Sequence, residues 1–289
     1  RLFKELTLKS IPDEDIFRVL TSSGTTGNNV SKIYLDTEAA TVQSQMMVRT
    51  MSEILGKTRL PMLVIDSKSV TAGNSFSARG AGILGMMNLG RKHCFALDDD
   101  LVLSEETVQA FLEEHGNSPF IIFGFTYMVW SNFAALENHT SLDLSAGTLV
   151  HSGGWKKLVD QAVNHQEFRE QLIRRFGLSK IYNFYGMVEQ IGTIFLESEN
   201  GDGSLTCPTF ADVIIRDPIT LEPMPDGQVG IIQTLSTLPT SYPGHSILTE
   251  DLGVIEGIDD QSRLGKRFRV VGRLPRAEVR GCSDTFIES

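Results

Sequence analysis

Short apolar segments alternate along the chain with segments of helical periodicity, and few folds accommodate this alternation. Residues 61–66 form a continuous apolar run, which is typical of a strand buried on both faces of a parallel sheet. Further strands are predicted at 120–125, 148–151 and 180–184. A segment such as 104–116 places its apolar residues on one helical face and ends in glycine. This order predicts an α/β fold with mostly parallel sheets flanked by helices.

The composition of the chain changes after residue 200. Asp, Gly and Pro then separate short apolar runs, such as 213–215 and 229–235, in the pattern of an antiparallel β subdomain. We therefore predict an α/β core over residues 1–200 and a smaller β-rich subdomain with a C-terminal tail over residues 201–289. The chain does not begin with Met and opens in the middle of an element, so we expect part of the N-terminal core to be missing.

The net charge of −10 argues against nucleic acid as a partner, because a nucleic-acid groove needs clustered Lys and Arg. No apolar run approaches the roughly 18 to 20 residues of a membrane span. The first residues also lack the pattern of a signal peptide, so we expect a cytoplasmic location. The three cysteines, Cys94, Cys207 and Cys282, are widely spaced and predict neither a disulfide framework nor a zinc site.

A polar loop lies near the start of the chain, before a short predicted strand at residues 33–35. Residues 21–27 contain five hydroxyl side chains and two glycines, and Lys32 follows. Gly24 and Gly27 can take positive φ, so that backbone N–H groups and hydroxyls close around an anion such as phosphate. This is not the usual P-loop, because Lys and a hydroxyl do not directly follow Gly27, and a Ser/Thr/Gly-rich linker is the alternative. The predicted phosphate-binding residues are Thr21, Ser22, Ser23, Gly24, Thr25, Thr26, Gly27 and Lys32.

This loop resembles the phosphate-binding loop of the adenylate-forming enzymes, roughly S/T-S-G-S/T-T-G-x-x-K, with Lys32 slightly late. A second resemblance follows the strand at 180–184, where the family carries the motif YGxTE. It implies that Tyr185 stacks on the adenine of ATP and that Glu189 helps to hold Mg²⁺. Gly186 also matches the motif, whereas Val188 replaces the threonine of the family and removes its hydroxyl.

Three further elements at predicted strand ends match the same family. Gly153 and Gly154 break a strand at a place where glycines let a ligand approach the backbone, and the resemblance places them around adenine. Asp251 matches the aspartate of the TGD element, with Glu250 where Gly is usual, and is the implied partner of the ribose hydroxyls. Arg273 matches the GR element and is implied to contact ribose or phosphate. Alone, each pattern also fits an ordinary turn.

Within this superfamily the chain most resembles the acyl-protein synthetases of the LuxE type, which are fatty-acid–protein ligases. The resemblance implies the large-domain architecture of the adenylate-forming enzymes, without the mobile C-terminal domain and its catalytic lysine. The stretches that carry the resemblance are 21–27, 66–69, 76–80, 151–156, 185–190 and 280–284.

The resemblance also implies an activity. A fatty or other apolar carboxylic acid reacts with Mg·ATP to give acyl-AMP, and Cys282 then accepts the acyl group as a thioester. Arg276 and Arg280 lie near Cys282 in the sequence and favour its thiolate, which is the nucleophilic form. Cys282 and Glu189 are therefore the predicted catalytic residues. The implied downstream acceptor of the acyl group is a protein that resembles an acyl-CoA reductase.

Several alternatives remain open from the sequence. Cys282 is also compatible with an incidental surface thiol. The chain as a whole is also compatible with an acyl- or aryl-CoA ligase of the phenylacetate-CoA ligase type. The departures at Val188 and Glu250 and the absent lysine are compatible with a catalytically inactive nucleotide-binding scaffold. Arg79 stands among small residues and is either a surface residue or a ligand-facing one. The aromatic side chains at 123–130 form either core or the wall of an apolar substrate site.

Overall fold

The computed structural model describes residues 2–22, 30–72, 78–134, 142–155, 162–198, 200–260 and 263–274. In chain order the helices are α1 (Leu2–Glu5), α2 (Thr37–Leu55), α3 (Ala78–Met87), α4 (Glu105–His115), α5 (Thr126–Val129) and α6 (His165–Phe176). No helix in this described part is both long enough and apolar enough to span a membrane.

The strands follow in the same order. They are β1 (Arg18–Thr21), β2 (Lys32–Leu35), β3 (Leu60–Ser67), β4 (Gly90–Leu97), β5 (Phe120–Phe125), β6 (Gly147–Ser152), β7 (Lys180–Tyr185), β8 (Phe195–Glu197), β9 (Leu205–Thr206), β10 (Ala211–Arg216), β11 (Gly230–Ser236), β12 (Ser246–Ile258) and β13 (Lys266–Arg273). The four strands predicted in the first part of the chain are therefore present, as β3, β5, β6 and β7.

The described residues form two compact units. The first contains the residues up to Thr50 and those from Phe184 onward, and the second contains the residues from Met51 to Asn183. β7 carries the chain from the second unit into the first.

The second unit is built on parallel strands in the order β4, β3, β5, β6. β5 is buried along its whole length, and its Phe123 lies beside Val150 of β6. The helices α3, α4 and α5 pack against these strands and cover them. Two buried polar side chains, Asp66 of β3 and His151 of β6, lie near the carboxyl ends of their strands, which is where α/β sheets bind ligands.

Helix boundaries in the second unit follow local capping. The Ser104 side chain accepts a hydrogen bond from the backbone N–H of Thr107 at 3.3 Å and begins α4, whose Val108 and Phe111 are buried. The Asn164 side chain caps α6 in the same way, and Gly177 ends it with φ of +69°. Gly116 is the residue at which α4 ends, in agreement with the predicted helical segment 104–116.

The first unit contains antiparallel strands in the order β8, β9, β13, β12, β11, β10 and a separate hairpin of β1 and β2. Alternate side chains of these strands form one apolar cluster, in which Phe268 is fully buried and lies opposite Ile255. The antiparallel pattern predicted after residue 200 is therefore observed. The buried residues of the apolar cluster are Phe195, Leu205, Cys207, Val213, Ile215, Ile232, Ile255 and Phe268.

The N-terminal segment belongs to the same unit as these later strands. The Phe3 ring packs edge-on against Tyr242 with centroids 6.1 Å apart, and the Ser241 hydroxyl donates to the carbonyl of Tyr34 at 2.9 Å. Ile33 and Leu35 complete this second cluster. The first unit therefore combines the N-terminal segment with strands that are distant from it in the sequence. The sequence division into residues 1–200 and 201–289 stays a prediction.

Substitution of Gly192 by alanine is expected to destabilise the first unit. Gly192 has φ of +83°, and a Cβ there would lie 2.4 Å from the backbone oxygen of Gln43. The strained φ costs about 1–3 kcal/mol, and the backbone clash adds to it. Gly227 is the matched control, because its φ is +80° but its Cβ would meet no atom within 4 Å. Urea unfolding of Gly192→Ala and Gly227→Ala measures the difference, and equal losses of stability would contradict the clash.

Candidate functional site

Three of the predicted site residues meet in the first unit. The Tyr185 hydroxyl donates to the Asp251 carboxylate at 2.7 Å, and Nε of Arg273 lies 3.1 Å from the other carboxylate oxygen. Asp251 and Arg273 are direct cross-strand partners on β12 and β13. The sheet register therefore holds a phenol, a carboxylate and a guanidinium together, although they lie far apart in the sequence.

Hydrogen bonds of Thr249 hold the backbone of β12 at Asp251. The Thr249 hydroxyl accepts a hydrogen bond from the Asp251 backbone N–H at 3.1 Å and donates to the Ile232 carbonyl at 2.8 Å. The side chains of Asp251 and Arg273 keep exposed fractions of 22% and 35%. The pair is thus preorganised and still accessible to a polar ligand such as a sugar hydroxyl.

The Tyr185 ring is held by the apolar cluster of the first unit. It packs against Phe195 and Phe268, with ring centroids 6.1 and 6.3 Å apart. Burial, with the negative charge of Asp251, raises the pKa of Tyr185 well above its ordinary value. The phenol therefore stays protonated near neutral pH and remains a hydrogen-bond donor to Asp251.

Glu189 lies in the 3₁₀ turn Val188–Gln190, which Met187 separates from Tyr185 and Gly186. The neighbouring Gln190 amide anchors this turn by donating to the backbone carbonyl of Gly244 at 2.8 Å. Gly244 lies so close that a Cβ there would be 2.8 Å from the Glu189 carbonyl oxygen. Glu189 itself is half-buried.

The departure from the family motif at Val188 has a packing explanation. The Val188 side chain packs against the cluster formed by Phe3, Ile33, Leu35, Ala39 and Tyr242. A threonine hydroxyl pointing into this cluster would need a hydrogen-bond partner there. Val188 therefore contributes apolar contact where the family motif has a hydroxyl.

The ends of the predicted phosphate loop belong to the β1–β2 hairpin. Thr21 pairs with Lys32 across the hairpin, and the Ser22 hydroxyl accepts from the Ser31 backbone N–H at 2.9 Å. The loop residues between Ser22 and Val30, which include Ser23, Gly24, Thr25, Thr26 and Gly27, lie outside the described residues. Their predicted role in phosphate binding stays a prediction.

The glycines predicted near adenine lie in the second unit, after β6. Gly153 has φ of +86°, and a Cβ there would lie 3.4 Å from the Phe125 ring, whereas a Cβ at Gly154 would meet open space. His151, just before them, is buried, and its Nδ1 lies 2.9 Å from the Thr126 hydroxyl. The aromatic rings at this edge, Phe123, Phe125, Tyr127 and Trp130, are buried. Both interpretations of these rings, as core and as the wall of an apolar substrate site, stay predictions.

Of the two cysteines among the described residues, Cys207 is buried and Cys94 is half-buried. Burial raises the pKa of Cys207 to about 12, and it also raises the pKa of the half-buried Cys94. A thiol with a raised pKa forms little thiolate near neutral pH and is a weak nucleophile. Cys282 lies outside the described residues, so its catalytic role stays a prediction.

The sequence did not predict a pairing between Asp66 and Arg79 of the second unit. Asp66 ends the apolar run of β3, and Arg79 lies in the first turn of α3. Nε of Arg79 is 3.4 Å from Oδ2 of Asp66, and the exposed fractions of the two side chains are 8% and 0%. The sequence analysis had singled out Arg79 only as an isolated arginine among small residues, and no pattern in the sequence linked it to Asp66.

Comparisons with known proteins agree with this architecture. The family model described as "Acyl-protein synthetase, LuxE" matches residues 1–289. A long-chain-fatty-acid–luciferin-component ligase of Aliivibrio fischeri is 23% identical over 291 residues, covering 98% of this chain and 75% of that protein. The ligase of the same name from Vibrio harveyi is 29% identical over 138 residues, covering 47% of this chain and 35% of that protein.

Solved structures show the same fold at low sequence identity. A 2-hydroxyisobutyryl-CoA ligase in complex with 2-HIB-AMP is 15% identical with a TM-score of 0.62, covering 91% of this chain and 53% of its own. The anthranilate CoA ligase AuaEII in complex with anthranoyl-AMP is 17% identical with a TM-score of 0.61, covering 90% and 48%. ATP-bound MatB from Rhodopseudomonas palustris has a TM-score of 0.58 at 16% identity, covering 91% and 49%. The chain therefore spans about half the length of these structures, and their fold confirms the predicted fold class.

Replacing Tyr185 by phenylalanine is expected to lower the free energy of unfolding by about 1–2 kcal/mol, because a hydrogen bond to a carboxylate is lost while Asp251 keeps Arg273. Tyr182→Phe is the matched control, since Tyr182 is half-buried on the same strand. Chemical denaturation measures both variants. If the two substitutions cost the same, the hydrogen bond from Tyr185 to Asp251 does not stabilise the fold.

Proposed function

The chain belongs to the LuxE acyl-protein synthetase family, and from this membership we propose that it activates a fatty or other apolar carboxylic acid with ATP and transfers the acyl group to Cys282. The names of the two bacterial relatives, long-chain-fatty-acid–luciferin-component ligases, support the choice of acid. The observation that carries the proposal is the arrangement of Tyr185, Asp251 and Arg273, because it joins three separate family motifs at one place.

The proposed reaction has two steps, with ATP as a substrate. A carboxylate oxygen of the fatty acid attacks the α-phosphorus of ATP, the bond to pyrophosphate breaks, and acyl-AMP forms. The sulfur of Cys282 then attacks the acyl carbon, the bond to the AMP oxygen breaks, and the thiol proton is lost to solvent. The products are an acyl thioester on the chain, AMP and pyrophosphate.

Residues of the first unit account for nucleotide binding in this proposal. Asp251 accepts hydrogen bonds from the ribose hydroxyls, and Arg273 donates to ribose or phosphate. Tyr185 offers its ring to adenine while its hydroxyl orients Asp251. Gly186 allows the backbone beside this ring to pack closely, since a Cβ there would lie 3.3 Å from the Thr193 carbonyl oxygen. The family resemblance assigns the phosphates to the loop residues 21–27 and Lys32, and it assigns adenine contacts to Gly153 and Gly154.

Glu189 fits the requirements of a magnesium ligand. Mg²⁺ is usually held by one or two carboxylates together with substrate phosphates and water, so a single carboxylate is enough. The described residues hold no group of three or more His, Cys, Asp or Glu side chains that could bind a metal without phosphates. When bound, Mg²⁺ would neutralise charge on the phosphates, and Glu189 would position it.

The state of the other thiols supports Cys282 as the acyl acceptor. Cys207 is buried with a pKa raised to about 12, and burial also raises the pKa of Cys94. Cys282 follows Arg280 in the sequence, and a nearby cation favours thiolate. An acyl-CoA-reductase-like protein is the proposed recipient of the acyl group from this cysteine, as in the family.

A second candidate is an acyl- or aryl-CoA ligase. One observation favours this candidate: two of the solved structures with this fold are named as CoA ligases. The two activities differ in the acceptor of the acyl group, which is CoA in one and a cysteine of the protein in the other.

Acylation of the chain is expected when it is incubated with Mg·ATP and dodecanoic acid without CoA. Intact-protein mass spectrometry should show one added acyl group, which hydroxylamine removes because it is a thioester. Cys282→Ser should abolish the addition. Cys94→Ser is the matched control and should retain it, because Cys94 is half-buried with a raised pKa.

Each other outcome assigns a different function. Acylation that persists in Cys282→Ser moves the acceptor to another residue. Formation of acyl-CoA on addition of CoA, with the protein unmodified, establishes the CoA ligase. ATP binding without any acyl product establishes the inactive scaffold.

Replacing Asp251 by asparagine is expected to lower kcat/KM for ATP by roughly tenfold or more, because hydrogen bonds to a charged acceptor contribute about 1.5–3 kcal/mol. The preference for ATP over 2′-deoxyATP should shrink in the same variant, since the ribose hydroxyls lose their acceptor. Asp260→Asn is the matched control, because Asp260 also pairs with an arginine, Arg267, in the first unit. An unchanged preference in Asp251→Asn would remove Asp251 from the ribose site.

A further inference from the structure

The Asp66–Arg79 pair in the second unit is buried but poorly bonded. Nε of Arg79 lies 3.4 Å from Oδ2 of Asp66, and the geometry is not that of a hydrogen bond. Among the described residues, Nε and Nη1 of Arg79 have no hydrogen-bond acceptor and Oδ2 of Asp66 has no donor. Asp66 keeps one bond, from the backbone N–H of Ser67 to its Oδ1 at 2.7 Å. The guanidinium thus retains donors that the described residues leave unused.

A buried arginine with unused donors is unfavourable unless another group meets them. Arginine presents five N–H donors in a planar fork and stays charged at all ordinary pH values. Buried charged groups are normally both paired and hydrogen-bonded. A planar ligand with oxygen acceptors could therefore accept hydrogen bonds from the unused N–H groups of Arg79.

The position of the pair in the fold agrees with a ligand site. Asp66 lies near the carboxyl end of β3, the edge at which parallel α/β sheets bind ligands. α3, which carries Arg79, also packs against β5. One helical turn after Arg79, a Cβ at Gly82 would lie 3.4 Å from the Phe125 ring, and a Cβ at Gly153 would lie 3.4 Å from the same ring. A cationic fork and an aromatic ring flanked by glycines thus occur at the same edge of the parallel strands.

The charges favour a monoanion over a polyphosphate. Asp66 lies beside Arg79 and offsets its charge, so the pair has no net positive charge to balance the several negative charges of a triphosphate. A single carboxylate matches the planar fork of arginine and adds only one negative charge.

We propose that Arg79, held in place by Asp66, binds the carboxylate of the fatty acid, whose first methylene groups lie along the Phe125 ring. This inference rests on the proposed function, since it names the group that recognises the acid. Burial, opposed by Arg79, raises the pKa of Asp66 to about 6. Asp66 therefore accepts a proton more readily than an exposed aspartate does, which reduces the repulsion when a second carboxylate shares Arg79.

Calorimetric titration of the full chain with dodecanoic acid and with dodecanol, both without ATP, tests the inference. The unsubstituted protein should bind the acid at least tenfold more tightly than the alcohol. Arg79→Gln should lose this preference and keep its affinity for the alcohol. Arg91→Gln is the matched control, because Arg91 is an exposed arginine of the same unit, and it should keep the preference.

A second variant separates loss of the carboxylate site from loss of folding. Removing Arg79 alone leaves Asp66 as an unpaired buried charge, which destabilises a protein. The double variant Asp66→Asn, Arg79→Gln removes both charges, and thermal melting confirms that it is folded. It should also bind the acid and the alcohol equally.

Other results overturn the inference. A preference for the acid that persists in the folded double variant makes the pair purely structural. An unsubstituted protein that binds the acid no better than the alcohol, or binds neither, has no carboxylate site at Arg79. Because these titrations contain no ATP, they are independent of the acylation experiment. A protein that binds the acid through Arg79 but is never acylated would overturn the proposed function alone.

Discussion

The carboxylate of Asp251 is the group on which the arrangement of the first unit depends. It accepts from the Tyr185 hydroxyl, lies beside the Arg273 guanidinium and is oriented by Thr249 through its own backbone. Asp251 and Arg273 face each other because β12 and β13 pair in one register. A slip of that register by one residue would turn the two side chains to opposite faces of the sheet. The site is therefore specified by strand pairing, which is more rigid than a loop.

The two departures from the family pattern both have physical explanations within the first unit. Val188 packs against the apolar cluster that contains Tyr242, so the position is used for packing. Oε2 of Glu250 lies 3.2 Å from Nη2 of Arg273, so Glu250 is a second carboxylate beside the guanidinium that also pairs with Asp251. Neither feature requires the loss of activity. With both departures present, Tyr185, Asp251 and Arg273 still contact one another.

The two aspartate–arginine pairs differ in environment, and this difference decides what each can do. Asp251 and Arg273 are partly exposed, so water or a ligand hydroxyl can exchange with their contacts at low cost. Asp66 and Arg79 are buried, and their unused donors and acceptors cannot be satisfied by bulk water. The first pair suits reversible recognition of a polar, neutral group such as ribose. The second suits a ligand that brings its own charge into an apolar setting.

The sequence by itself determined the local structure. The strands β3, β5, β6 and β7, the cap of α4 at Ser104 and the glycine that ends α6 follow from periodicity and capping, which involve residues close in the chain. The motif order also indicated Tyr185, Asp251 and Arg273, although only the fold brings them within hydrogen-bonding distance. The roles of residues 23–27 and of Cys282 remain predictions from the sequence.

Tertiary structure alone decided which groups are buried and which are paired. Nothing near Arg79 in the sequence shows that it meets Asp66, and nothing near Val188 shows that it packs with Phe3 and Tyr242. The sequence likewise did not show that Cys207 is sealed from solvent strongly enough to raise its pKa to about 12. The physical reason is that periodicity and capping arise between neighbours along the chain. Burial, desolvation and charge pairing arise between segments that meet only after folding.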